Sequence, residues 1–388
     1  MSILRASKSI VKKRVLPKVP KVWSRQVTFG LRALSLKPLI SCNANARMTG
    51  VARGTAESKM SRLLGNTKLP KTMAGIVASL QLVTEHSYVN VDHSDFNGLV
   101  ALVFAVQTKI GRALPIFLET SYSGKLSSRD DAPKRTKKLR AAYRALTSNE
   151  TKRTMASLKL LESTFSFWPK LVFDRGFGSK DIIQYLHKEK AIFYIRMKAD
   201  RLVDIAGVTL SLKDCKRADE LVVIAGLKLR IVRSPKNGQD DEPWYILTND
   251  LSYSRNKVVK VYYHRFEIEE TFRDIKTLVG LRRTKLMKPN SLAILLWFVS
   301  LGILILYLAG LGVLGLRELL NRLSQPHPKK RLSWYRILME LREQEILELS
   351  YGTLTGARWK SASGSADIAW RFTIYMVVFM LYEVTENA

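Results

Sequence analysis

VYYHRFEIEETFRDIK, residues 261–276, is the stretch on which the reading of this chain turns. Ile268, Phe272 and Ile275, with Val279 beyond them, recur at the spacing of one helical face. The segment from Lys257 to Leu281 is therefore expected to form one amphipathic helix docked on a core. On the adjoining arc stand Tyr262, Arg265, Glu269 and Lys276, which at about 100° per residue fall within roughly 60° of one another. One carboxylate flanked by two cations and a phenol suits metal-assisted attack on a phosphodiester: the acid holds a hard cation while its neighbours grip phosphate oxygens. A solvated helix face with pairs such as Glu269 and Arg273 fits the same spacing equally well.

Outward from this helix, towards the N-terminus, the pattern becomes β-prone. YVNVD is expected to end a strand at Asp92, and LVALVFAVQ and LPIFLET to add two antiparallel neighbours across turns at Gly98 and Gly111. A helix is expected over Glu150–Phe165, and KLVFD reads as a buried strand ending at Asp174. Ser179 caps the next expected helix, DIIQYLHKEK, and AIFYIRMK is a further strand. Residues 200–250 alternate short β runs with turns. Three strands, helix, strand, helix, strand is the order of a ribonuclease-H-like α/β core, interrupted here before its last helix. Asp92 and Asp174 each follow a strand, where open sheets expose side chains to ligands, although a single aspartate there commonly only caps a turn.

The charge balance narrows the partner. The 388 residues carry 64 Lys+Arg against 33 Asp+Glu, a formal charge of +31. Such a field draws polyanions, either nucleic acid or an acidic membrane surface. Cys42 and Cys215 make neither a disulfide framework nor a zinc site, so an intracellular setting is the expectation. No acid precedes Glu57, while Arg5, Lys8, Lys12, Lys13, Arg14, Lys18, Lys21 and Arg25 do. A basic leader of this kind also suits an organellar transit peptide. Within Ala46–Leu64 a break at Gly50 or Gly54, then Thr55 capping TAESKMSRLL, reads as a helix-turn-helix or a plain helical hairpin. Lys59 and Arg62 would share its outer face, with Leu63 and Leu64 turned to the core.

Y-x2-R-x3-E-x6-K at Tyr262, Arg265, Glu269 and Lys276 resembles the signature of transposases of the insertion sequence four family. DRGF at Asp174–Phe177 resembles that family's second acidic motif, and VDHSDF around Asp92 its first, with Ser94 where members often carry Thr. The β-rich segment ending in WYILTN is similar to the family's insertion between its second and third acids. The resemblance covers roughly residues 85–310. It implies a ribonuclease-H-like fold and two Mg2+ or Mn2+ ions held by Asp92, Asp174 and Glu269. It further implies cleavage of double-stranded DNA at transposon ends followed by strand transfer into target DNA, with Tyr262, Arg265 and Lys276 on the transferred end. A homodimer, no small-molecule substrate and a nucleoid-associated bacterial cytoplasm follow as expectations.

Several residues keep two readings. Asp95 serves as a supporting acid or as a turn cap, and Trp244 stacks on an extruded base or fills the core. Arg175 neutralises phosphate or pairs with Asp174. The uncharged run 291–315, LAILLWFVSLGILILYLAGLGVLG within it, meets the length of a membrane span, while the family resemblance implies a buried helix packed on the core. The expected organisation is a basic helical DNA-binding region over 1–80, catalytic core over 81–199, β-rich insertion over 200–250, the rest of the core over 251–325, and a helical region over 326–388. The rival functions are a nuclease on the same fold that cuts without joining, and a basic membrane-anchored nucleic-acid-binding protein.

Overall fold

A computed structural model describes residues 9–34, 46, 52–96, 98–108, 112–122, 150–235, 243–277, 281, 286 and 288–323. The basic stretch 134–140, Gly50, Val279 and the expected helical region 326–388, with RILMELREQEILEL, lie outside them. Ten strands form one mixed sheet, flanked by helices.

Its first five strands make the ribonuclease-H-like frame. β1 (Tyr88–Phe96), β2 (Leu99–Val106) and β3 (Leu114–Tyr122) form an antiparallel meander. β4 (Lys170–Phe173) lies parallel to β1, and β5 (Phe193–Met197) parallel to β4. The spatial order is thus β3-β2-β1-β4-β5. The strand carrying Asp92 does not end there, as the sequence suggested, but continues to Phe96 in register with β2. The polar HSDF run looks like a turn in one dimension; pairing with the apolar β2 holds it extended, and Asp95 accepts the Gly98 amide at 3.3 Å to close the hairpin. Asp95 is thereby a turn cap.

Beyond β5 the sheet continues antiparallel through β10 (Tyr245–Thr248), β9 (Leu227–Arg233), β8 (Asp219–Ile224), β6 (Leu202–Ile205) and β7 (Val208–Ser211). Both tight hairpins in this extension are Ala-Gly pairs, Ala206–Gly207 and Ala225–Gly226, with positive φ at each residue. That is the backbone a two-residue hairpin needs to match strand twist.

The N-terminal helices α1 (Lys21–Leu34), α2 (Arg53–Leu64) and α3 (Thr72–Ser79) rest on the same body. Gly54 lies inside α2, and the helix starts at Arg53 with no side-chain cap, so neither the break at Gly54 nor the Thr55 cap is present. Ala56, Met60 and Leu63 form the buried stripe of α2, leaving Lys59 and Arg62 exposed as expected. α4 (Glu150–Phe165) and α5 (Lys180–Lys188) follow, the latter capped by Ser179, whose side chain accepts the Ile182 amide.

The apolar run forms α8 (Pro289–Leu323), after α6 (Arg255–Tyr263) and α7 (Phe266–Thr277). α8 packs on β3 and β2 and on α1 and α2, and Asn290 donates to the Leu64 carbonyl at 2.7 Å. Residues 292–298 are buried on every side of the helix. A helix apolar all round must be enclosed by protein or by lipid; over this stretch protein encloses it. Trp297 is fully buried and its indole Nε1 has no hydrogen-bond partner among the described residues. Trp297→Ala is expected to cost about 3–5 kcal/mol in detergent-free buffer. Trp297→Phe should cost much less, because it also removes an unpaired donor worth about 1–3 kcal/mol. Urea unfolding of the two variants measures this, and equal stability of Trp297→Ala and the parent would place the segment outside the core.

Candidate active site

The register of two parallel strands builds the first half of the site. Val91 on β1 pairs with Phe173 on β4, so the next residues, Asp92 and Asp174, emerge side by side where β4 stops. Side chains alternate along a strand, which puts Asn90 and Asp92 on one face of β1 and Val89 and Val91 on the other. Val172 and Tyr194 join Trp244, Val258, Val261 and Tyr262 in a second apolar cluster beneath α6. Trp244 is therefore core: it is buried, packed on Tyr262 and Phe266 with centroids 5.4 and 5.6 Å away.

The segment expected as one helix is two. α6 ends at Tyr263, His264 and Arg265 form a turn, and α7 begins at Phe266. Breaking a helix frees carbonyls that must find other donors. The Gln107 amide donates to the Val261 carbonyl at 3.3 Å and to Asn90 Oδ1 at 2.7 Å, and Asn90 Nδ2 donates to the His264 carbonyl at 3.2 Å. Asn90 on β1 and Gln107 just beyond β2 thus stitch the break to the sheet. Glu267, also buried, accepts the Thr108 amide at 3.1 Å and meets His264 Nδ1 at 2.9 Å. α7 is fixed from its other side by Arg112, which is 2% exposed and reaches Glu270 at 3.1 Å and Asp274 at 3.0 Å. Ile268, Phe272 and Ile275 are buried, as their spacing predicts.

The break delivers Arg265 into the middle of the three acids. Its Nη1 donates to Asp92 Oδ2 at 3.0 Å, and its Nη2 donates to Glu269 and lies 4.0 Å from Asp174 Oδ1. The guanidinium is 4% exposed. Burial works against its charge, but Tyr262 and the three carboxylates hold its pKa above the ordinary arginine value. Tyr262 is fully enclosed and donates to Asp174 Oδ1 at 3.4 Å; burial pushes its phenol pKa up. In this arrangement neither Tyr262 nor Arg265 presents surface to a phosphate. Lys276 stands apart, with its ammonium 5.2 Å from the Phe96 ring centroid.

Three carboxylates against one guanidinium leave the cluster two negative charges in excess. Asp92 registers this: burial, with repulsion from Asp174 and Glu269, raises its pKa to about 6 despite Arg265 and the His93 amide, which donates to Oδ1 at 2.8 Å. His93 in turn stacks on Phe177 at 4.8 Å and pairs with Glu150 at 2.9 Å, tying the strand to α4. Among the described residues no three His, Cys, Asp or Glu side chains stand close enough together to hold a metal ion. The guanidinium occupies the space between the acids. The donor set nevertheless fits a hard divalent cation, since it is all oxygen and short of positive charge.

Sequence reasoning brought out Asp92, Asp174, Tyr262, Arg265 and Glu269, and the structure gathers all five. It missed Asn90, Gln107 and Arg112, whose positions carry no pattern of their own. Residues 139–306 match the family model described as a transposase DDE domain. The match takes in Asp174 and Glu269 and starts after Asp92. No curated protein matches the chain. The mixed sheet with flanking helices is the ribonuclease-H-like architecture of such domains, and the match supports a DDE transposase.

The raised carboxyl of Asp92 has a consequence for stability. Its folded pKa of about 6 exceeds the ordinary 3.8, so the folded state binds the proton more tightly than the unfolded chain. The resulting stabilisation is present below about pH 4 and lost as pH rises through 6. Asp92→Asn should therefore gain on the parent protein, by on the order of 2 kcal/mol, between pH 4 and pH 8. Denaturant titrations at both pH values check this; a stability difference independent of pH would rule out the buried, repelled carboxylate.

Proposed function

We propose that this protein is a transposase that cuts DNA at the ends of a mobile element and joins the freed 3′ hydroxyl to target DNA. The observation that carries this reading is the convergence of Asp92, Asp174 and Glu269, from three distant parts of the chain, on one electron-rich site. Its residues 139–306 resemble a transposase DDE domain. Asp92, Asp174 and Glu269 are the proposed ligands of two Mg2+ or Mn2+ ions. Such ions, when bound, supply Lewis acidity at the phosphorus and activate the attacking hydroxyl.

The chain's own residues do the remaining work. Glu269, nearly half exposed, offers its carboxylate from the open side of the cluster, while Asp92 lies deepest. Arg265 keeps the acids at a common centre and limits their repulsion, and Tyr262 orients Asp174. Lys276, beyond the cluster on α7, is the proposed contact to a DNA phosphate; Arg265 and Tyr262 join it once the guanidinium is displaced from the acids by bound ions. The +31 charge provides sequence-independent attraction, and the exposed Lys59 and Arg62 of α2 belong to the region 1–80 proposed to read the element's ends. Two copies of the chain would be needed to hold two ends together, which makes a homodimer on DNA part of the proposal.

Glu269→Gln keeps the side chain's shape and removes a hard anionic ligand. It should abolish cleavage and joining together, while DNA affinity is kept or rises as repulsion from phosphate falls. Lys276→Ala should instead weaken binding and lower the salt slope by about one unit. Gel-shift titrations across a salt series, run beside cleavage and joining assays in Mg2+, separate the two. Near-normal cleavage by Glu269→Gln would remove it from the site, and cleavage without any joining by the parent protein would favour the nuclease.

A further inference from the structure

A second feature lies beside the acids. Between the turn after Asp174 and the β extension runs a hollow of about 730 Å3. Arg175, Gly176 and Gly178 line one wall, Met197, Lys198 and Arg201 another. β6 and β8 close the far side with Leu202 and Val223, which are 63% and 41% exposed.

Arg175 and Lys198 are exposed and Arg201 half-buried, and none of the three makes an ion pair with a described residue. Asp200 and Asp204 share the lining without pairing closely to them, so the hollow carries three cations against two acids; Asp204 also accepts the Gly207 amide at 3.0 Å. The net positive lining, whose cations have no close acid partner, favours an anion placed among them. The exposed Leu202 and Val223 add an apolar wall without any hydrogen-bonding code, the kind of surface that covers the face of a base whatever its identity. The hollow falls within the roughly 300–1,000 Å3 of ordinary ligand sites, too small for a duplex about as wide as two stacked helices. Arg175 follows Asp174 directly in the chain, so the hollow opens next to the acidic cluster.

We infer that this hollow binds unpaired nucleotides of a DNA strand next to the bond being cut, with Arg175, Lys198 and Arg201 on its phosphates and the Leu202–Val223 wall against its bases. The inference rests on the transposase reading and adds a single-strand binding site that the acids do not require. Arg175, which in the sequence fitted either a phosphate contact or a partner for Asp174, belongs with the first.

The test compares full-length protein on two labelled probes, a blunt duplex and the same duplex with a short single-stranded extension, by fluorescence anisotropy across a salt series. The parent should prefer the extended probe by roughly tenfold at low salt. Lys198→Ala with Arg201→Ala should erase that preference, lower the salt slope on the extended probe by roughly 0.7 for each lost contact, and leave the blunt duplex nearly unchanged. Gly176→Ala keeps every cation but adds a methyl where a Cβ would meet nothing within 4 Å. It should fold normally and reduce the same preference by obstruction. If the parent binds both probes equally, or the variants lose both alike, the hollow is not a strand site while the transposase reading stands. If the parent binds neither probe, both readings fall together.

Discussion

A single guanidinium, that of Arg265, meets Asp92, Asp174 and Glu269 at once, and the surrounding structure is arranged so that it can. Burying this cation is tolerable because acids surround it, and removing it would leave Asp92, the most enclosed of them, without its ion-pair partner. The position of Arg265 depends on the break between α6 and α7, and the break depends on Asn90 and Gln107 supplying donors to the carbonyls it frees. Arg112, gripping Glu270 and Asp274, then sets the pitch of α7 and with it Glu269.

The same cluster is short of positive charge, and that shortage links stability to function. A carboxylate held near pH 6 in the folded state is a liability for folding at neutral pH, and the same uncompensated negative charge is what the proposed divalent cations would neutralise. Arg265 offsets one charge and leaves two. Lying between the acids, it holds an arrangement that is compact before any ion or DNA arrives. The lining of the hollow beside Arg175 carries three cations against two acids, an imbalance of the opposite sign.

Much of this was legible in one dimension because local pattern and tertiary demand agree. The apolar run of β2 is buried on both faces, Ser179 caps α5, and Ile268, Phe272 and Ile275 dock α7 as their spacing predicts. Asp92 and Asp174 could be picked out because each closes a β-prone run of the sequence, although β1 itself continues past Asp92 to Phe96. The break at His264–Arg265 was not legible: neither residue disfavours helix strongly, and the donors that stabilise the break lie more than 150 residues away in the chain. Arg112 was invisible for a similar reason, since an isolated arginine before a strand has no periodicity to betray a partner on another element. The run 291–315 was ambiguous in principle, because a helix apolar on every side satisfies lipid and protein interior alike, and only the packing of α8 on β2, β3 and the N-terminal helices distinguishes them.

The central claim, that Asp92, Asp174 and Glu269 form one metal-binding centre, is tested most directly without DNA or turnover. Fe2+ in place of Mg2+, with ascorbate and peroxide, generates hydroxyl radicals at the bound ion that cut the nearby backbone. The account predicts cuts near residues 92, 174 and 269 together, suppressed by excess Mg2+ and absent in Asp92→Asn. Cuts at only one of these positions, or a cutting pattern unchanged in Asp92→Asn, would contradict it.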